Sequence, residues 1–106
     1  MPKYLYQGSY TAEGVKGLLK EGGTSRKDTI SKLLKTMGME LETMYFGFGT
    51  HDIYAIVDAP DHATAIAASL VVNAAGAVAI NTTVLIEPSE IDAATKITVP
   101  YRPPGQ

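Results

Sequence analysis

Apolar and polar side chains alternate at the start of the chain, and this alternation predicts a first β-strand over residues 3–11. Successive side chains of a strand point to opposite faces of its sheet. Tyr4, Tyr6 and Tyr10 therefore share one face of this strand, while Leu5 lies on the other with polar neighbours.

A crossover with helical signals follows, and two adjacent glycines interrupt it. The sequence predicts a first helix from Thr11, a good N-cap, to Lys20, and the Gly-Gly pair at 22–23 should end it. A second helix is expected to begin at residues 25–28, because Ser-Arg-Lys-Asp resembles a capping box. Apolar residues at helical spacing continue this second helix.

Two further strands, over residues 39–48 and 52–59, are predicted to form a hairpin because only a short connection separates them. Strict alternation along the first of these strands would place Leu41 and Tyr45 on one face and Met44 on the other. Both faces would then carry apolar groups, as expected for a strand that is covered on both sides.

A second crossover helix is predicted to begin at residues 60–61 and to end at Gly76. The stripe expected to pack on the sheet consists of Ala63, Ile66, Ala67, Leu70, Val71 and Ala74. A strand rich in β-branched residues follows over 77–86. Pro88 then begins a short last helix that runs to about Lys96.

The element order βαββαβ predicts an α+β, ferredoxin-like domain over residues 1–99, with a Pro-rich tail at 100–106 that is extended or reaches a partner. Right-handed crossovers place the helices on one face of an antiparallel sheet with strand order 4-1-3-2. The other face would expose an apolar patch too large for a soluble monomer. We therefore expect two copies to pair their sheets.

Composition narrows the possible functions. The 106 residues include no cysteine, which excludes disulfides, thiolate metal ligands and thiol catalysis. A net charge of -2 argues against general attraction to nucleic acid, and the basic residues between Lys16 and Lys35 indicate a solvated helical surface. With no recognisable signal peptide or membrane span, the expected location is cytoplasmic, without a membrane partner. No metal is expected, because roughly 20 Å of strand separates His51 and Asp52 from the acidic residues that follow the third strand. No cofactor is expected either.

Several short motifs, in this order and spacing, resemble those of the GYD domain family. They are Tyr10-Thr11-Ala12-Glu13-Gly14, the segments 45–52 and 56–61, Asn73-Ala74-Ala75-Gly76 and Thr82-Thr83-Val84-Leu85. The resemblance implies a dimeric α/β barrel of ferredoxin-like subunits and no particular activity, because the family is functionally uncharacterised. In the family's Gly-x-Tyr-Asp signature, at residues 49–52 here, His51 stands where tyrosine is usual.

The predicted sheet order brings the candidate ligand-binding residues to one edge of the subunit: Tyr10, His51, Asp52 and Asn73. His51 and Asp52 are also the candidates for catalysis. Neighbours on a strand point to opposite faces, so these two residues do not form an obvious dyad. The simpler explanation of Asp52 is electrostatic stabilisation of the first helix N-terminus.

Two other polar features have structural explanations. Asp61 is expected to cap the helix that follows it, and His62, in the first turn, is expected to be exposed. Gly47 and Gly49 precede a hairpin rather than a helix, so a phosphate cradle is not expected there.

Our leading hypothesis is a self-associating small protein that binds a small molecule in or beside the barrel. Apolar strand positions are abundant in this sequence, whereas convergent catalytic groups are few. The alternative is a cofactor-independent isomerase or monooxygenase-like enzyme in which His51 or Asp52 transfers a proton; His51 suits that role better because imidazole titrates near neutral pH. Such an enzyme requires an enclosed apolar pocket that contains one of these two side chains.

Overall fold

The computed structural model describes all 106 residues. In chain order, the elements are β1 (Lys3–Tyr10), α1 (Ala12–Glu21), α2 (Gly23–Thr36), β2 (Glu40–Phe46), β3 (Ile53–Asp58), α3 (His62–Ala75), β4 (Val78–Leu85) and α4 (Pro88–Thr95). The strands form one antiparallel sheet in the order β2-β3-β1-β4. This arrangement confirms the predicted ferredoxin-like sheet.

The hydrophobic core lies between one face of the sheet and the helices α2 and α3. Tyr4, Tyr6 and Val57 reach this covered face from the two central strands and are buried against Leu34 of α2 and Ala65 of α3. The Tyr6 hydroxyl donates a hydrogen bond of 2.6 Å to the Ala65 carbonyl. Because the interaction is buried, it ties the centre of the sheet firmly to α3.

Strand β2 contains an irregularity that the sequence analysis did not predict. The register with β3 shifts between Leu41 and Thr43, so Glu42 is an extra residue of the bulge type. The extra residue places Leu41 on the covered face with Met44, and both contribute to the core. The prediction that Leu41 shares a face with Tyr45 is therefore wrong.

The inner face of α3 also differs from the predicted one. Ala65 and Ala68 are buried, whereas Ile66, Leu70 and Val71 are 49%, 65% and 71% exposed. The remaining members of the predicted stripe, Ala63, Ala67 and Ala74, are exposed as well. The long side chains of Tyr4 and Tyr6 stand between the sheet and this helix, and the Tyr6 hydroxyl reaches the helix backbone. Small side chains of α3 face these rings, and the larger ones point outward.

The boundary between α1 and α2 is a single glycine. Gly22 ends α1 with a φ of 85°, a value that favours glycine, and α2 begins at the next residue. The predicted capping box is wrong because Ser25 lies inside α2, where its hydroxyl donates to the Glu21 carboxylate at 3.3 Å.

The ends of α3 follow the prediction. The Asp61 carboxylate accepts a hydrogen bond of 2.7 Å from the Thr64 amide, which caps the helix and lowers the pKa of this carboxyl group. Gly76 ends the helix in the left-handed conformation, with a φ of 81°.

The second face of the sheet, called the open face here, lies opposite the core. Leu5 pairs with Ile56, and Tyr54 pairs with Tyr45, so these four apolar side chains lie together at its centre. Tyr45 is 71% exposed and the other three are half-buried. At one end of this face, the Lys3 ammonium group forms salt bridges of 2.8 and 3.1 Å with two carboxylates from β3 and β2.

The C-terminal segment stands away from the rest of the chain. Every residue from Ile86 to Gln106 is exposed, including the apolar Ile91, Ile97 and Tyr101. The radius of gyration is 17.2 Å, compared with about 13 Å for a compact chain of this size. None of the helices is both long and apolar enough to cross a membrane.

Candidate functional site

An apolar cavity of about 90 Å³ lies between the covered face of the sheet and the helices α2 and α3. Both layers contribute to its walls, which include Ile30 and Leu33 from α2, Val72 from α3, and Ile53 and Ile80 from the strands. Hydrocarbon side chains make up almost all of this lining. The exceptions that matter chemically are a phenol and a guanidinium group.

The phenol belongs to Tyr10, at the end of β1. Its hydroxyl is buried and makes no hydrogen bond. Burial raises the pKa of this phenol, and the nearby guanidinium group of Arg26 opposes the increase. Buried polar groups in proteins nearly always have a partner, so an unpaired hydroxyl in a cavity wall indicates a position that can accept one.

The guanidinium belongs to Arg26, in the second turn of α2. Arg26 is half-buried and lines the cavity. It lies near enough to the Tyr10 oxygen to oppose the increase in the phenol pKa, although the hydroxyl makes no contact with full hydrogen-bond geometry. It also takes part in none of the salt bridges of the molecule. A hydroxyl without a hydrogen-bond partner and a guanidinium group without a carboxylate partner therefore meet at one cavity.

The start of α1 holds the Tyr10 ring in place. Thr11 caps this helix, accepting a bond of 3.3 Å from the Gly14 amide and donating one of 2.9 Å to the Gly76 carbonyl. A Cβ atom on Gly14 would lie 1.9 Å from the Ala77 carbonyl oxygen and 2.7 Å from the Tyr10 ring. Only a glycine lets the helix approach β1 so closely, and this approach packs α1 against the ring.

Asp52 lies beside Tyr10, and its carboxylate accepts a hydrogen bond of 2.9 Å from the Tyr10 backbone amide. The Asp52 amide donates to the Gly8 carbonyl at 2.7 Å, which extends the pairing of β3 with β1. The structure thus brings these two candidate residues together. The cap of α1 comes from the Thr11 side chain.

His51 lies on the other side of the sheet from the cavity. Its ring packs edge-to-face on Tyr54, with 6.1 Å between ring centroids, and Tyr54 belongs to the open face. The Nδ1 atom of His51 is buried without a hydrogen-bond partner. Neither His51 nor Asp52 lines the apolar cavity.

Asn73 is the candidate whose side chain is fully engaged in the fold. Its amide accepts a hydrogen bond of 2.7 Å from the Ile80 amide and donates one of 3.2 Å to the Ile80 carbonyl. These bonds satisfy backbone groups of β4, which is an edge strand of the sheet. Asn73 therefore joins α3 to this edge.

Sequence reasoning missed Arg26, although the chain contained a signal for it. Arg26 precedes Ile30 by four residues and Leu33 by seven, and this spacing places all three on one face of a helix. Ile30 packs on the core and Leu33 lines the cavity, so Arg26, on the same helix face, lies on that side as well. The basic residues between Lys16 and Lys35 were expected to be solvated, and this expectation did not distinguish Arg26 from the others.

A second missed contact joins His62 to Tyr4. His62 is exposed as predicted, but its Nδ1 atom is hydrogen-bonded to the hydroxyl of the buried Tyr4, and the two rings meet edge-to-face. A shallow concavity of about 820 Å³ between the N-terminus and the C-terminal segment borders His62. No cluster of histidine and acidic side chains there or elsewhere has the geometry of a metal site.

Fold and cavity together define an α+β protein of the ferredoxin-like type with an apolar cavity between sheet and helices. The family model of the GYD domain matches residues 4–95, and the chain belongs to this family. The match runs from β1 to the end of α4 and confirms the resemblance found in the short motifs. No curated protein and no solved structure matches the chain.

Proposed function

We propose that this GYD domain protein is a homodimer joined through its open sheet faces, and that each subunit binds a small molecule in the apolar cavity. The buried, unpaired hydroxyl of Tyr10 is the observation that carries the binding function. A buried polar group without a partner costs about 1–3 kcal/mol. A ligand with a hydrogen-bond acceptor recovers this free energy, and its apolar part replaces empty space next to Ile30, Val72 and Ile80.

The cavity volume limits the size of the ligand. An apolar cavity of about 150 Å³ holds one benzene molecule, and the cavity here measures about 90 Å³. One small ring or a short branched chain therefore fits after a slight outward movement of the walls.

Benzene is a suitable probe of the cavity, detected by NMR of the methyl groups. It should shift the methyl signals of Ile30, Val72 and Ile80 and leave those of Ile91, in the exposed C-terminal segment, unchanged. Val72→Phe fills the cavity and should abolish these shifts. Val71→Phe is the matched control, because Val71 is the next residue and is 71% exposed. Shifts that survive Val72→Phe, or the absence of shifts in the wild type, would contradict binding in the cavity.

Self-association is supported by the apolar centre of the open face. Leu5, Ile56, Tyr54 and Tyr45 form a contiguous patch there, and soluble monomers rarely leave large contiguous apolar patches exposed. A second copy presents the same patch, and a twofold axis through the patch brings like surfaces together. Pairing two such sheets removes both patches from water.

Analytical ultracentrifugation of two charge variants tests the pairing. Tyr45→Glu places a charge on the open face, at a side chain exposed enough to leave the subunit fold intact. We expect this variant to be monomeric and the wild type to be dimeric. Leu70→Glu introduces the same charge on the outer face of α3, where Leu70 is 65% exposed, and should stay dimeric. If only Leu70→Glu dissociated the dimer, the interface would lie on α3 and not on the open face. A monomeric wild type would exclude self-association.

The buried, unpaired Nδ1 atom of His51 favours the enzyme hypothesis, whereas the position of His51 and Asp52 outside the apolar cavity counts against it. In this alternative, His51 or Asp52 moves a proton in a cofactor-independent isomerase or monooxygenase-like reaction. The His51 ring signals under benzene titration distinguish the two functions. If His51 acts on a molecule held in the cavity, its ring signals should shift together with the cavity methyl signals. Unchanged ring signals would show that His51 does not respond to a molecule in the cavity. The binding function would then be the only one of the two that is supported.

A further inference from the structure

We infer that the cavity is built for a small monocarboxylic acid, with the carboxylate between Arg26 and the Tyr10 hydroxyl and the apolar part between the sheet and the helices. This inference rests on the proposed binding function and adds the chemical class of the ligand. It follows from the hydrogen-bonding character of the two polar groups, from the engagement of the nearby carboxylates, and from the apolar lining.

Both polar groups at the cavity are donors. Arginine has five N–H donors, no acceptor and a permanent positive charge. The phenol of Tyr10 keeps its proton at neutral pH, since its ordinary pKa of 10.0 lies far above 7 and burial raises it further. An Arg26 N–H can donate to the phenol oxygen, but the phenol proton and the other N–H groups of the guanidinium then still lack an acceptor. Their complement is an acceptor, and the positive charge of Arg26 favours an anionic one.

The carboxylates of the protein near this point have other partners. Asp52 accepts the backbone amide of Tyr10. Glu21 accepts bonds of 3.3 Å from the Ser25 hydroxyl and 3.4 Å from the Thr29 hydroxyl. Arg26 forms a salt bridge with neither of them. The guanidinium of Arg26 is therefore free to pair with an external anion.

The lining selects a carboxylate over a phosphate. A phosphate group presents more oxygen atoms and more charge than one arginine and one phenol can satisfy. The remaining walls are almost entirely hydrocarbon and supply no further donors. A carboxylate matches the guanidinium fork with two parallel hydrogen bonds. Its substituent then lies against Ile30, Val72 and Ile80, where only an apolar group avoids a desolvation penalty.

Benzene and benzoate form a probe pair that differs by the carboxylate alone, with affinities measured by titration of the cavity methyl signals. The wild type should bind benzoate about ten- to a hundredfold more tightly than benzene, the range expected for hydrogen bonds to a charged group. Arg26→Gln should abolish this preference while benzene still binds. Lys27→Gln removes the same charge from an exposed neighbour and should retain the preference.

The outcomes separate this inference from the function on which it rests. If benzene binds and benzoate binds no more tightly, the carboxylate class is wrong and the cavity function stands. If neither probe binds, the cavity function itself fails. An equal loss of benzoate affinity in Arg26→Gln and Lys27→Gln would indicate a general charge effect and overturn the inference. Should Arg26→Gln fail to fold, Tyr10→Phe replaces it and should reduce the preference for benzoate over benzene.

Discussion

The two faces of the sheet are built from the same strands but differ in their chemistry. On the covered face, Tyr4, Tyr6 and Val57 are buried beneath α2 and α3. On the open face, Leu5 and Ile56 alternate with them and are only half-buried. The comparison shows that one period-two pattern serves two purposes. The covered face holds the subunit together and encloses a cavity, and the open face remains available for association.

The largest expected effect on stability comes from a substitution of Gly14, where α1 packs against the covered side of the sheet. In Gly14→Ala the new Cβ atom would lie 1.9 Å from the Ala77 carbonyl oxygen, which neither backbone can tolerate. We expect a loss of about 3 kcal/mol or more in the free energy of unfolding, measured by urea denaturation. Gly17→Ala is the matched control in the same helix, because nothing lies within 4 Å of its added Cβ. The control should be stabilising by up to about 1 kcal/mol, and equal effects at both positions would contradict the close approach of α1.

Removing the Tyr6 hydroxyl should give the next largest effect. In Tyr6→Phe the Ala65 carbonyl loses a buried hydrogen bond of 2.6 Å. The expected cost is about 1–3 kcal/mol in the free energy of unfolding, measured by urea denaturation. Tyr45→Phe makes the same change on the open face and should stay within about 0.5 kcal/mol. Similar losses in the free energy of unfolding for the two variants would mean that a tyrosine hydroxyl on the covered face stabilises the fold no more than one on the open face.

The covered face should also be the more sensitive to alkaline pH. Burial raises the pKa of the Tyr6 phenol to about 12, above the usual value of 10.0 for the unfolded chain. The folded state therefore favours the protonated phenol, and the stability it contributes is fully present below pH 10. This contribution should be lost as the pH rises from about 10 to about 12, and denaturation curves across this range measure it. Tyr6→Phe should show a weaker decrease, and an unchanged decrease would assign the effect to other groups.

The smallest expected effect compares two adjacent threonines of β4. The Thr82 hydroxyl is buried on the covered side without a hydrogen-bond partner, whereas Thr83 is exposed on the open side. Thr82→Val removes an unpaired polar group and should raise the melting temperature, with a gain of up to about 1 kcal/mol. Thr83→Val should change the stability by less than about 0.5 kcal/mol. Destabilisation by Thr82→Val would show that its hydroxyl has a partner, such as a bound water molecule.

Features decided by neighbours in the chain were predictable from the sequence alone. The order of strands and helices followed from periodicity, and the cap at Asp61 and the end at Gly76 followed from residue types with known local preferences. The ferredoxin-like sheet order followed from the general rules of connection. The family resemblance agreed with this fold on separate grounds. All of these features depend on interactions within a few residues or on rules common to all chains.

Features decided by packing between distant elements emerged only in the tertiary structure. The bulge at Glu42 reverses the faces of β2, and no local signal marks it. Ala65 and Ala68 face the sheet because the rings of Tyr4 and Tyr6 occupy the space beneath α3, although Leu70 and Val71 are more hydrophobic.

The cavity is the clearest example of the difference. Helical spacing could have placed Arg26 on the inner face of α2, but the sequence could not show that this face meets Tyr10 at the end of β1. Hydrophobic periodicity determined which elements form, since it reports the burial of each face. The distance between the layers determined which side chains meet, since that distance depends on every side chain packed between the sheet and the helices.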